Sequence, residues 1–263
     1  MHSWCPAFSG TVEVDILGMI KSILNFLIAR PVQFLVSLPW VRYSLIGGIY
    51  QNFYSPREKM LDVAMKYAAV SKLGGDYFEF GVHAGKTFIA AFHASRRYFS
   101  AKIHFYAFDS FEGLPEPNTP RNEFEAFTKG QWTCSKETFK KNLKKKRVDL
   151  SRVHIVAGWY RDTLNDRTRA EFPAKKAAVI YVDCDLYESA VEVLNFIVPY
   201  LEHGTLLLFD DWFAYRGDPN RGEQRAFREW LVWNPEISVV EYHKFGWSGN
   251  SFIVHLKTGT HNP

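Results

Sequence analysis

The sequence predicts an α/β fold: a mostly parallel seven-stranded sheet with helices on both faces and an antiparallel hairpin at the C-terminal end. Three observations predict it. From Pro56 onward, short apolar runs alternate with stretches of helical periodicity. The runs are apolar at nearly every position, as in strands covered on both faces. Strands joined through helices require right-handed crossovers and therefore lie parallel, whereas the last two runs have no helix between them and form a hairpin at a sheet edge.

The elements follow in order. Arg57–Leu73 places Met60, Val63, Ala64, Tyr67 and Ala68 at helical spacing, and Gly74-Gly75 stops the helix. Asp76–Phe80 is the first strand and breaks at Gly81. Thr87–Phe99 is a helix and Lys102–Phe108 the second strand, ending at Asp109. Phe111–Gln131 contains Pro115, Pro117 and Pro120 and is loop-like; Glu112–Gln131 is long enough to act as a lid, with Trp132 beside it. Lys136–Arg147 is a basic helix, Val153–Val156 the third strand and Ala177–Val182 the fourth. Ser189–Leu201 is helical up to His203-Gly204, and Thr205–Phe209 is the fifth strand. A last helix over Glu223–Val232 precedes the closing strands Ser238–His243 and Ser251–Leu256.

Composition narrows the class. With 47% hydrophobic and 23% charged residues, the chain is neither disordered nor a disulfide scaffold. A net charge of +4 over 263 residues gives no reason to expect nucleic acid as a partner. Cys5, Cys134 and Cys184 are too few and too far apart for a disulfide or zinc framework, so a reducing, cytoplasmic setting is expected. The lysines from Lys140 to Lys146, with Arg147, read as a solvated helix end.

Residues 1–55 differ in kind. Their only charged residues are Glu13, Asp15, Lys21, Arg30 and Arg42. No apolar run there reaches the ~20 residues of a membrane span. The expected form is a helical arm, and two readings stay open. The arm covers the domain that follows it or the partner in a homo-oligomer, or it lies peripherally on a membrane with Trp40, Tyr43 and Tyr50 at headgroup level.

The chemistry sits at the carboxyl ends of the strands, where ligands bind in such sheets. Gly81 and Gly85 after the first strand let the backbone approach a ligand and aim helix amides at it. Their spacing is one residue short of a phosphate-binding loop, which leaves Lys86 a poor phosphate clamp. Asp109 ends the second strand, the position from which an acid grips a ribose. Asp183 and Asp185 follow the fourth strand, and Asp210 and Asp211 the fifth. Four carboxylates so placed repel one another unless neutralised, and a hard divalent cation such as Mg²⁺ is the economical partner. The alternative is that one pair caps a helix. Cys184, between two acids, is a packed thiol rather than a nucleophile.

Five blocks, Tyr77–Thr87 (YFEFGVHAGKT), Phe108–Pro117 (FDSFEGLPEP), Gly158–Leu164 (GWYRDTL), Tyr181–Ser189 (YVDCDLYES) and Gly204–Trp212 (GTLLLFDDW), resemble the macrocin O-methyltransferase (TylF-like) family. These are class I S-adenosylmethionine-dependent methyltransferases of Rossmann-like fold. The resemblance covers roughly Pro56–Leu256 and implies a methyltransferase domain over 56–263. Lys86-Thr87 departs from the small residues frequent after the second glycine. The resemblance implies an Mg-dependent O-methyltransferase acting on a hydroxyl of a sugar, glycoside or related small molecule. Glu79, Gly81, Val82 and Gly85 would bound the methionine end of S-adenosylmethionine, with Asp109 and Ser110 at the ribose and Gly158 and Trp159 near the adenine. It also implies Asp183, Asp210 and Asp211 as metal ligands and Asp185 as general base, although period two places Asp183 and Asp185 on one strand face and leaves either able to be the base. The competing expectation is an inactive cofactor-binding or membrane-associated assembly protein on the same fold. The intact carboxylates favour the enzyme.

Overall fold

The computed structural model describes residues 54–116 and 127–257. Contacts divide the chain between Tyr54 and Ser55, and every element below belongs to the second unit. The expected arm therefore lies outside the described residues, apart from Tyr54 and Ser55, as does the middle of the expected lid. No helix among the described residues is long and apolar enough to cross a membrane.

Helix α1 (Pro56–Val70) starts where Ser55 and Glu58 form a reciprocal capping box, with proline at the first helical position. It buries Met60, Leu61, Ala64, Met65 and Ala68. Strand β1 (Asp76–Phe80) leads into α2 (Lys86–Tyr98), and β2 (Phe105–Asp109) follows. Helix α3 (Lys136–Lys145) is capped by Ser135 and precedes β3 (Val153–Ala157). Two short helices, α4 (Tyr160–Thr163) and α5 (Asp166–Glu171), come next. They escape sequence reading because neither buries a residue, so neither carries an apolar stripe. Strand β4 (Ala177–Val182), α6 (Tyr187–Ile197), β5 (Leu206–Phe209), α7 (Gly222–Trp233), β6 (Ile237–Glu241) and β7 (Asn250–Leu256) complete the unit. Helix α6 stops four residues before its expected end because Pro199 turns the chain into a 3₁₀ helix over Val198–Tyr200.

The seven strands run in the order β3-β2-β1-β4-β5-β7-β6. The first five are mutually parallel, and β7 is antiparallel to both β5 and β6. Alternation along β1 divides the core in two. Tyr77 faces the layer of α1 and α2 with Phe88, Phe105 and Tyr181, while Phe78 and Phe80 face α6 and α7 with Phe108, Phe196 and Phe209. From β1 the chain builds outward to β3, then returns to β4 on the other side of β1. The order of strands reverses at β1 and β4, so the crevice opens beyond the carboxyl ends of those two strands.

Candidate active site

A cleft of about 1010 Å³ lies at that reversal. Gly81, immediately after β1, has φ +87°, and a Cβ there would sit 1.7 Å from the Asp183 carbonyl oxygen. Only glycine lets the two strand ends come so close. Gly85 also takes a positive φ, of 84°, and caps α2 through its backbone. Asp109, at the end of β2, accepts the amides of Val82 and His83 at 2.8 and 2.9 Å through one oxygen. Its other oxygen accepts the Phe111 amide at 2.7 Å. The acid braces the glycine loop while lining the cleft. The Ser110 hydroxyl shapes the following turn, donating to the Gly113 carbonyl and accepting the Glu112 amide. The Gly158 amide donates to the Asp109 carbonyl at 3.0 Å, bringing Trp159 to the cleft wall.

Glu79 lies behind this wall. Alternation turns it into the α1–α2 layer, where it is fully buried and accepts the Tyr77 and Thr87 hydroxyls at 2.5 and 2.6 Å. Burial pushes its carboxyl up to about 8, against the pull of those two hydrogen bonds. Gly81, Val82, Asp109, Ser110 and Trp159 line the cleft, whereas Glu79, Gly85 and Gly158 support the lining from behind.

All four expected aspartates converge on the cleft. Carboxylate oxygens of Asp183, Asp185 and Asp211 lie within 4.8 Å of one another. This trio differs from the expected ligand set at one member, because Asp210 is already engaged. Its Oδ1 accepts Arg57 Nε and the Tyr181 hydroxyl, each at 2.6 Å, and its Oδ2 pairs with the second arm of the Arg57 fork. Asp185 also departs from the strand geometry assumed for it. β4 ends at Val182, and Asp185 takes a left-handed φ of 59°, so a bend rather than the pleat aims it at Asp211. Burial and the Asp210 charge raise the Asp185 carboxyl to about 6, while a hydrogen bond with Asp211 opposes the shift. Burial and neighbouring carboxylates push Asp183 and Asp211 well above the usual carboxylate range.

Sequence reading missed three members of the site. Glu223, on the first turn of α7, is buried and accepts the Asp211 amide at 3.0 Å. Arg57 and Tyr181 hold Asp210 from 153 and 29 positions away. An acid in a first helical turn is so common that Glu223 carried no signal. The other two are defined only by where the sheet brings them. One oxygen each of Asp211 and Glu223 is buried without a hydrogen-bond partner. Unpartnered buried carboxylate oxygen beside two further carboxylates is a donor set that fits a hard cation. Cys184 is buried, and burial with its carboxylate neighbours raises the thiol well above its ordinary value, which suits packing rather than attack.

Strand order, reversal-point cleft and glycine loop together define a doubly wound α/β protein with its ligand site at the strand ends. The family model of macrocin-O-methyltransferase (TylF) matches residues 38–241, and the chain belongs to that family of O-methyltransferases. It is 25% identical over 217 residues to the 8-demethyl-8-(2,3-dimethoxy-alpha-L-rhamnosyl)-tetracenomycin-C 4'-O-methyltransferase of Streptomyces olivaceus, covering 74% of this chain and 78% of that one. It is 24% identical over 181 residues to the mycinamicin III 3''-O-methyltransferase of Micromonospora griseorubida, covering 66% of each. Among solved structures, CalS11, a calicheamicin methyltransferase, matches 95% of this chain and 99% of its own with TM-score 0.63 at 21% identity, which supports the fold.

Proposed function

We propose that the enzyme transfers the methyl group of S-adenosylmethionine to a hydroxyl of a sugar or glycoside, with a divalent cation such as Mg²⁺ at the carboxylates. The observation that carries this reading is the contact between Gly81 and Asp183, which joins the glycine loop and the carboxylate cluster into one cleft. At about 1010 Å³ the cleft is at the top of the roughly 300–1,000 Å³ range of small-molecule sites, which suits a donor and an acceptor together. A wall rich in carboxylates favours a cationic sulfonium. Exposed Trp132 and Trp247 on the rim present flat apolar faces of the kind that pack on sugar rings. The two relatives named above are both described as O-methyltransferases, and the first carries a rhamnosyl group in its substrate's name.

Asp109 holds the Val82 and His83 amides in place and offers its cleft-facing edge to the donor's ribose. Trp159 supplies an apolar wall for the adenine. Asp183 and Asp211 would hold the cation, joined by Asp210 only where the Arg57 fork gives it up, and Asp185, whose carboxyl is poised at about 6, would take the acceptor's proton at its carboxylate oxygen. Bound, the donor supplies an electrophilic methyl and the cation lowers the acceptor hydroxyl's pKa. The protein's own work is to orient the hydroxyl and exclude water. Calorimetric titration with S-adenosylmethionine, with and without Mg²⁺, and mass spectrometry of products from a glycoside panel test the reading. Saturable binding and a methylated product lost on chelation are expected. No binding, or methylation indifferent to chelation, would refute it.

A further inference from the structure

We infer that Arg57 is an internal counter-cation that competes with a divalent ion for Asp210, so that cation binding and release of the Arg57 fork are linked. The inference rests on the cation site proposed above. Asp183, Asp185, Asp210, Asp211 and Glu223 bring five carboxyl groups together, and among the described residues their only ion pair is Arg57–Asp210. The pair uses both guanidinium arms: Nε reaches Oδ1 at 2.6 Å and the second nitrogen takes Oδ2. With Tyr181 also donating to Oδ1, the Asp210 carboxylate has no oxygen free of a cationic or hydroxyl donor. A planar fork on a carboxylate is the strong form of this interaction. The guanidinium charge also reaches Asp183 and Asp185, lowering the cost of holding them side by side.

The fork is placed to leave. Arg57 is the second residue of α1, its side chain is 44% exposed, and it lines the cleft with Ser55. Asp210 by contrast is buried at the end of β5 with 1% exposure and cannot follow it outward. A cation that enters among the aspartates therefore meets Arg57 as its rival for one ligand. Linkage makes the exclusion mutual.

Mn²⁺ binding followed by electron paramagnetic resonance, with no cofactor or acceptor present, tests this. Arg57→Met should tighten Mn²⁺ affinity roughly tenfold or more, the size set by losing a charge-assisted pair. Arg57→Lys, which keeps charge but loses the fork, should fall between. Saturating Mn²⁺ should in turn increase modification of Arg57 by phenylglyoxal in the wild-type protein, read by peptide mass spectrometry. A purely structural arginine would change neither. Equal or weaker Mn²⁺ binding in Arg57→Met overturns the competition while leaving the cation site standing. No Mn²⁺ binding in wild type and variants alike overturns both. If Arg57→Met fails to fold, Arg57→Lys and the modification experiment decide by the same criteria.

Discussion

Replacing Gly81 by alanine separates the cost of a backbone conformation from the cost of a blocked contact. At φ +87° an L-residue loses roughly 1–2 kcal/mol relative to its preferred region. The steric cost is greater. The new Cβ would lie 1.7 Å from the Asp183 carbonyl oxygen and 2.9 Å from its carbon, both backbone atoms with no rotamer to change. Reaching ordinary contact needs the ends of β1 and β4 to part by well over an ångström. That movement strains the hydrogen bond from the Asp183 amide to the Phe80 carbonyl, now 2.8 Å, and displaces the first carboxylate of the cluster. Gly130 supplies the control, since its φ is +75° and no heavy atom lies within 4 Å of its would-be Cβ. Gly130→Ala should show the backbone cost alone, and Gly81→Ala about 4 kcal/mol or more, in the range reserved for mutations that break a specific packing feature. Urea unfolding followed by circular dichroism gives both values. A Gly81→Ala variant within about 1 kcal/mol of Gly130→Ala would refute the claim that this contact locks the loop to β4.

Three further outcomes are expected. Glu79 carries its proton in the folded state up to about pH 8, against 4.5 for an ordinary glutamate, so its contribution is full below the unfolded value and is lost as pH rises toward 8. Glu79→Gln should flatten the stability profile between about pH 5 and pH 8, where the wild type loses several kcal/mol at about 1.4 kcal/mol per unit; parallel urea-unfolding profiles measured in EDTA would remove Glu79 as the source. Asp109→Ala should weaken S-adenosylmethionine binding by about 1–3 kcal/mol and loosen the Val82–His83 amides, visible as faster hydrogen exchange there. Unchanged affinity would remove Asp109 from the site. Asp210→Asn should raise the Mg²⁺ concentration required for activity, whereas Asp185→Asn should lower turnover by roughly 10²–10⁴ with Mg²⁺ affinity nearly intact; equal loss of Mg²⁺ affinity in the two would sink the division between ligand and base.

Local order was legible in the sequence wherever burial repeats at short range. The strands Asp76–Phe80 and Ala177–Val182 match expectation residue for residue, because a strand covered on both faces is a short, largely apolar run: AAVIYV is unbroken, and DYFEF is bounded by Gly75 and Gly81. Helix ends were off by a few residues where capping and proline, not periodicity, set the stop, as at Pro199. The glycines and acids of the site were legible as a set because strand–helix alternation sends the carboxyl ends of the five parallel strands to the same side. What each does was not. Whether an acid faces the cleft or the core depends on the pleat, which buries Glu79, and on the bend at Asp185, which turns it toward Asp211. Which charge neutralises which depends on approach between positions 153 residues apart, as Arg57 and Asp210 show. Periodicity is a property of neighbours in the chain, whereas burial, desolvation and pairing of charges are properties of neighbours in space, and only the strand order β3-β2-β1-β4-β5-β7-β6 decides who those are.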